Sequence, residues 1–321
     1  MISRIGGRLR KIFALGVMAL ALAACQQAAD LDAIHAERGK SLQRYDIFQA
    51  IAANGRVMAA GTQGGALLVS TDQGRNWTRQ TLGGASLIGL ETCPDGSFVG
   101  IDFNHKVWHG DAAGAVWKAV ALANPHIPLA VACDGKNRWW VAGSGARIAM
   151  SDDQGGSWRV TDFGEDAQIT ALQFVDEEFG IAVGEFGMLV TTTDGGLTWQ
   201  KGASIPNDFY PYAMLFMDRR AGYVSGIAGQ ILKTEDGGRT WAKADNLANA
   251  SLYRLFAHDG KPYGVGSGGV VARLEGDAFR AMPYPDAVPV FLGAGASLPG
   301  EEAVAIGGPG GLLRVVGSHV N

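Results

Sequence analysis

Residues 180–200 read GIAVGEFGMLVTTTDGGLTWQ, and residues 222–242 read GYVSGIAGQILKTEDGGRTWA. Laid over one another without a gap, both fit G-x-x-G-x-[IL]-x-x-[ST]-x-D-G-G-x-x-W. The shorter core S/T-x-D-x-G-x-x-W occurs twice more, at Ser70–Trp77 (STDQGRNW) and Ser151–Trp158 (SDDQGGSW). Its tryptophans stand at 77, 158, 199 and 241, so the spacings are 81, 41 and 42 residues. The longest gap is two periods, and a degenerate copy, GDAAGAVW, ends at Trp117 in its middle. A weaker copy, RLEGDAF, puts Phe279 in the tryptophan place. A fixed period of this length marks a repeat architecture, in which each unit depends on its neighbours for a core.

Upstream of each box the pattern is the same. An apolar segment such as ITALQFVD (169–176) precedes a small-residue segment such as GIAVGEFG (180–187), then GMLVTTTD (187–194), the box, and a last short segment starting at its Trp. Four short strands per period, each ended by Gly, Asp or Asn, describe a propeller blade. The expected fold is therefore all-β, a seven-bladed β-propeller of four-stranded antiparallel blades. Innermost strands are expected near Ile47, Leu87, Leu129, Ile169, Tyr212, Leu252 and Val290. The atypical first and last units leave counts of six and eight open. The last unit supplies only three strands, and Ser41–Asp46 is expected to add the fourth, so that strands from both termini close the ring and remove its free edges.

The box reads as a staple between a blade's third and fourth strands. Asp72, Asp153, Asp194 and Asp236 are expected to accept backbone N–H groups of their own turns. Ser70, Ser151, Thr192 and Thr234 add hydroxyls, and Gly74, Gly155, Gly196 and Gly238 take backbone angles closed to other residues. Trp77, Trp158, Trp199 and Trp241 bury rings between blades. Set one per blade on an outer rim, these aspartates are structural and carry no catalysis.

The chain begins with a segment to be set apart from the fold. Arg4, Arg8, Arg10 and Lys11 precede the apolar run Ile12–Ala21 and the sequence Leu22-Ala23-Ala24-Cys25. Such a run is too short to span a bilayer and suits a signal peptide. Small residues before the cysteine resemble the bacterial lipobox. That resemblance implies cleavage before Cys25, its lipidation, and, with Gln26 following, delivery to the outer membrane facing the periplasm. The expected organisation is a leader over 1–24, a lipidated linker over 25–40 and the propeller over 41–321. The whole chain carries 27 Lys and Arg against 31 Asp and Glu, a net −4, and removal of the leader's four cations takes it to −8. Such a charge is unsuited to nucleic acid. The membrane link expected is the lipid itself. Cys93 and Cys133 stand 24 and 25 residues before Trp117 and Trp158, equivalent places in neighbouring blades. A cross-blade disulfide and a pair of buried thiols both fit that placement.

These blades behind an export signal resemble the photosystem II stability and assembly factor propellers and their relatives in non-photosynthetic bacteria. The resemblance covers residues 43–321, with blades two, six and seven degenerate. It implies a non-enzymatic role, helping to assemble or stabilise a membrane protein complex, outside photosynthesis a transport or export system. The arginine-rich patch of the photosynthetic members has no counterpart recurring across these blades.

Two other classes use the same box: sialidase-like glycoside hydrolases and glycan-binding propellers. A sialidase needs converging arginines, with Arg56, Arg147, Arg219 and Arg254 as the candidates, and an F-R-I-P-like segment, which does not occur. A glycosidase needs two facing carboxylates; the candidates are Asp102, Glu165, Asp166, Glu185, Asp208 and Asp286. The six histidines are dispersed with no metal-ligand spacing, so neither a metal nor a cofactor is expected. For a protein partner, membrane-bound or periplasmic, the expected face is the mouth that gathers the second-to-third-strand loops and the blade-to-blade linkers. There stand Phe103, His105, Lys106, Arg147, Glu185, Phe186, Asp208, Phe209, Tyr210 and Tyr284.

Overall fold

A computed structural model describes residues 32–317. The leader 1–24, Cys25 and His319 lie outside the described residues. From Ser41 onward the chain is one compact unit, and residues 32–40 fall outside it. That short stretch carries a helix, Asp32–Arg38, with Asp32 in its first turn and Arg38 in its last, both favourable to the helix dipole. Among the described residues no helix is long and apolar enough to cross a membrane.

The compact unit is a seven-bladed β-propeller. Blades one to five are four-stranded antiparallel sheets in simple up-and-down order. Blade one runs Phe48–Ala53, Met58–Thr62, Ala66–Ser70 and Thr78–Thr81. Innermost strands of the next five blades are Leu87–Thr92, Pro128–Cys133, Ile169–Phe174, Pro211–Phe216 and Leu252–His258. In blade six the linker strand Asp245–Asn246 joins parallel to the outer strand, giving five. Blade seven has three strands, Ala294–Ser297, Ala303–Gly307 and Leu313–Gly317. Its first strand starts at Ala294 and not near Val290, because the linker before it is long.

The two ends of the propeller meet where the ring closes. Phe48 N–H donates to Gly308 O (3.1 Å) and Gly311 N–H to Asp46 O (2.9 Å). The segment 41–46 forms turns there and adds no fourth strand. It is held by its side chains: the Asp46 carboxylate accepts both Nη atoms of Arg79 (2.8 and 2.9 Å) and the Gln43 N–H (2.8 Å).

Burial is greatest in the second strand of each blade and falls off toward the outer strands. Second strands such as Met58–Thr62, Trp139–Gly143 and Gly180–Gly184 are buried throughout, since each is flanked on both sides and stacked on both faces. That explains their apolar, small-residue sequences. Fourth strands such as Arg159–Asp162 and Gln200–Lys201 are mostly exposed. The apolar core has no single centre. Seven clusters lie one at each blade junction, from the pairing of blades one and two round to that of blades seven and one.

The box aromatics sit in these junctions. Trp77 packs against Ala294, Leu298 and Leu313 of blade seven, Trp117 lies in the blade one–two cluster and Phe279 in the blade five–six cluster. Trp199 meets Trp140 of the preceding blade edge-on, with ring centroids 5.9 Å apart. Cys93 and Cys133 are joined by a disulfide, Cα–Cα 5.1 Å, linking the innermost strands of blades two and three. Because Trp77 is buried at the closing junction, Trp77→Ala is expected to cost about 3–5 kcal/mol. Equilibrium denaturation of the two proteins checks this.

Candidate functional site

The geometry of the boxes decides what they can do. Ser70 Oγ donates to Asp72 Oδ1 (2.9 Å) and accepts the Gly74 N–H (2.8 Å). The Asn76 N–H and Nδ2 then donate to the two carboxylate oxygens (2.8 and 2.7 Å). The pattern repeats at Asp153 with Ser151 and Ser157, at Asp194 with Thr192 and Thr198, and at Asp236 with Thr234 and Thr240. The residue before each tryptophan, Asn76, Ser157, Thr198 or Thr240, is thus part of the staple. Its restriction to Asn, Ser and Thr was visible in the repeat. Gly74, Gly155, Gly196 and Gly238 all have φ between 79° and 87°, where a side chain is strained. At Gly196 a Cβ would also run into the Trp140 ring.

These hydrogen bonds hold the box carboxyls down to about 2, chiefly through Asn76 at Asp72, Ser157 at Asp153, Thr198 at Asp194 and Thr240 at Asp236. A carboxylate so depressed is a poor acid or base near neutral pH. Its stabilising effect is complete above the ordinary Asp range and is lost as pH falls through about 2. Asp194→Ala is therefore expected to lower the melting temperature at pH 7, by an amount that shrinks between about pH 4 and pH 2. A thermal melt series over pH reads this directly.

The mouth that holds the second-to-third-strand loops is built differently. Backbone bonds weave those loops into the linkers: Leu122 N–H to His105 O (2.8 Å), Ala146 N–H to Ala167 O (2.7 Å), Gly187 N–H to Phe209 O (2.9 Å) and Ser267 N–H to Ser251 O (2.9 Å). Loop tips therefore stand on a fixed frame. Phe103 and Phe186 project from it at 55% and 65% exposure, with Tyr210 less so. Lys106 and Asp208 are exposed. His105 stacks on His126, centroids 4.3 Å apart. Arg147 pairs with Asp162 (2.8 Å), and Glu185 accepts the Gln168 N–H (2.9 Å).

Two residues expected on this face are not available to a partner. Phe209 is buried in the junction of blades four and five. Tyr284 is buried between blades six and seven, its hydroxyl donating to Gly269 O (2.8 Å). Each caps a core cluster at the base of its linker. In their place are exposed side chains that the sequence reading passed over: Ile127, Ile227, Leu247, Val288 and Phe291. Ile227 occupies the loop position that Glu185 holds in the blade before, so alignment of the repeats could have found it.

Twelve large apolar or aromatic side chains are exposed among the described residues. Nine belong to this mouth: Tyr45, Phe103, Ile127, Phe186, Tyr210, Ile227, Leu247, Val288 and Phe291. Of the others, Val116 and Leu197 lie in box turns and Val160 on an outer strand. Scattered single apolar residues are ordinary on a surface, whereas a concentration on one face is not.

The arginines weighed for a sialidase are dispersed. Arg219 bonds Asp176 and Glu178, Arg147 bonds Asp162, Arg56 lines a small hollow beside Pro299, and Arg254 alone enters the central channel. Of the acids, Asp102 is buried and accepts the Trp108 Nε1–H (2.7 Å), Glu165 pairs with Lys201, and Asp166 and Asp286 are exposed. No three or more His, Cys, Asp and Glu come together as a metal site among the described residues.

Comparison with known proteins agrees with this architecture. Residues 154–245 match the family described as photosynthesis system II assembly factor YCF48. Over 94 residues the chain is 32% identical to the photosystem II assembly lipoprotein Ycf48 of Synechococcus sp. (strain CC9902). That match spans 28% of this chain and 28% of the relative's length. Among solved structures, YCF48 from Cyanidioschyzon merolae superposes with a TM-score of 0.69 at 14% identity, covering 86% of this chain and 97% of the other. YCF48 bound to D1 peptide gives 0.69 at 15%, covering 86% and 95%. Virginiamycin B lyase from Staphylococcus aureus, in a catalytically inactive form with quinupristin, gives 0.72 at 13%, covering 85% and 96%. At such identities the structural likeness concerns the fold alone. The chain resembles the photosystem II assembly factors, most closely from the box of blade three to the linker after blade five.

Proposed function

We propose that this protein is a non-enzymatic scaffold that assists the assembly or stability of a membrane protein complex, docking it on the mouth of loops and linkers. The observation that carries the reading is the gathering of nine of the twelve exposed large apolar side chains on that mouth. Aromatic and aliphatic tips on a rigid frame are what a protein interface uses for anchors. The family likeness supports the same role, for its members are named as assembly factors, and one of the superposing structures has a bound peptide.

Lipidation at Cys25 would hold the scaffold at an envelope membrane, in keeping with the relative named as a lipoprotein. The outer membrane, facing the periplasm, is the address that Gln26 suggests. A transport or export complex is the client class in keeping with relatives outside photosynthesis. The dispersed arginines and the bonded box aspartates give no support to a glycosidase.

Capture from detergent-solubilised envelope tests the role. The intact protein is expected to retain a stoichiometric membrane protein, and Phe186→Asp with Ile227→Asp to lose it at least tenfold with no change in melting temperature. Both positions are more than half exposed, at 65% and 53%, so the fold tolerates them. Absence of any partner, or equal capture by the double variant, refutes the proposal.

A further inference from the structure

The ring encloses a hollow of about 290 Å³ along its axis, lined by all seven innermost strands. Two charged side chains line it, Arg254 of blade six and Glu91 of blade two. Everything else along the wall is apolar or neutral, including Leu129, Leu172, Met214 and Tyr212.

Arg254 reaches across the channel because nothing opposes it. At its level of strand pairing, opposite Val265, the other blades carry Ala50, Gly89, Ala130, Ala171, Ala213 and Gly295. Its Nη2 donates to Ile88 O at 2.7 Å and, more weakly, to Gln49 O at 3.4 Å; its Nε reaches Gly293 O at 3.4 Å. These are carbonyls at the inner edges of blades one and two and before blade seven. None is a carboxylate, and Nη1 makes no bond to any of the described residues.

Glu91 stands two pairing levels further along the axis, opposite Val99. At a rise of about 3.3 Å per residue that is roughly 7 Å from the Cα level of Arg254, and further from its guanidinium, which turns the other way toward Ile88 O. The Glu91 side chain is open to the channel and, among the described residues, makes no hydrogen bond and no ion pair. Burial in the channel wall pushes its carboxyl up to about 7, and Arg254 pulls it back down. The two charges feel one another without touching.

Opposite charges that face one channel without touching leave room for a bridging molecule that carries both partner charges. We infer that the channel binds a free α-amino acid, its carboxylate on Arg254 and its ammonium on Glu91, with a modest side chain against Leu129, Leu172 and Met214. The hollow lies at the small end of ligand-sized pockets, which suits so small a molecule. This site is independent of the docking role proposed for the mouth.

Isothermal titration of the full chain at pH 7.5 with L-alanine, L-leucine and L-glutamine tests it, with 4-methylpentanoate and 3-methylbutylamine as half-ligands for leucine. At least one amino acid is expected to bind, and each half-ligand to bind at least tenfold more weakly than leucine. Glu91→Gln removes no hydrogen bond and keeps the side chain's shape, so it stays folded; it is expected to weaken binding at least tenfold. Arg254→Lys, which keeps the charge but loses the fork, is expected to weaken it as well. Three outcomes each overturn the inference: no binding of any of the three amino acids, binding unchanged in Glu91→Gln, or 4-methylpentanoate binding as tightly as leucine. Loss of partner capture by mouth variants would leave these titrations unaffected, so the two proposals fail separately.

Discussion

Each blade of this ring has two apolar faces and no interior of its own, so stacking against both neighbours is the interaction on which everything else rests. The seven core clusters each belong to a junction, and no cluster belongs to a single sheet. Such a core is complete only when the ring is closed. The closing junction is correspondingly well braced. Trp77 fills it, Arg79 ties Asp46 into it, and Arg254 reaches from blade six to the inner edges of blades one and two.

Within that constraint the box solves a local problem. A hairpin at the outside of a blade must turn tightly and still send an aromatic ring inward to the neighbour. The bonded aspartate fixes the turn, the glycine permits its backbone, and the tryptophan is thereby aimed at the preceding blade. Both carboxylate oxygens of the aspartate are engaged within its own turn, which is why the most conspicuous motif of the chain is chemically quiet.

The repeat made the ring legible because every blade obeys the same packing, and equal spacing of tryptophans reports equal spacing of blades. What broke the pattern was harder to read. Ser41–Asp46 forms turns fixed by the Asp46–Arg79 ion pair, a contact between residues 33 apart that periodicity cannot register. Phe209 and Tyr284 looked like mouth anchors, yet both lie at linker bases where the core needs caps. Ile127 and Phe291 were passed over for the converse reason: an isolated apolar residue in a linker carries no sign of which way it points. Glu91 gave no signal at all, for its place opposite Arg254 exists only once blades two and six face one channel.

The ring thus separates holding from acting. Junctions and boxes hold, and the mouth, where loop length and composition are free to vary, is left to meet a partner. Hydrogen–deuterium exchange on the protein bound to its captured client tests this most directly. Protection is expected at residues 103–105, 185–187, 227–229 and 286–291, with the box turns exchanging as in the free protein. Protection centred on the box turns around Asp72, Asp153, Asp194 and Asp236, with the mouth unchanged, would contradict the account.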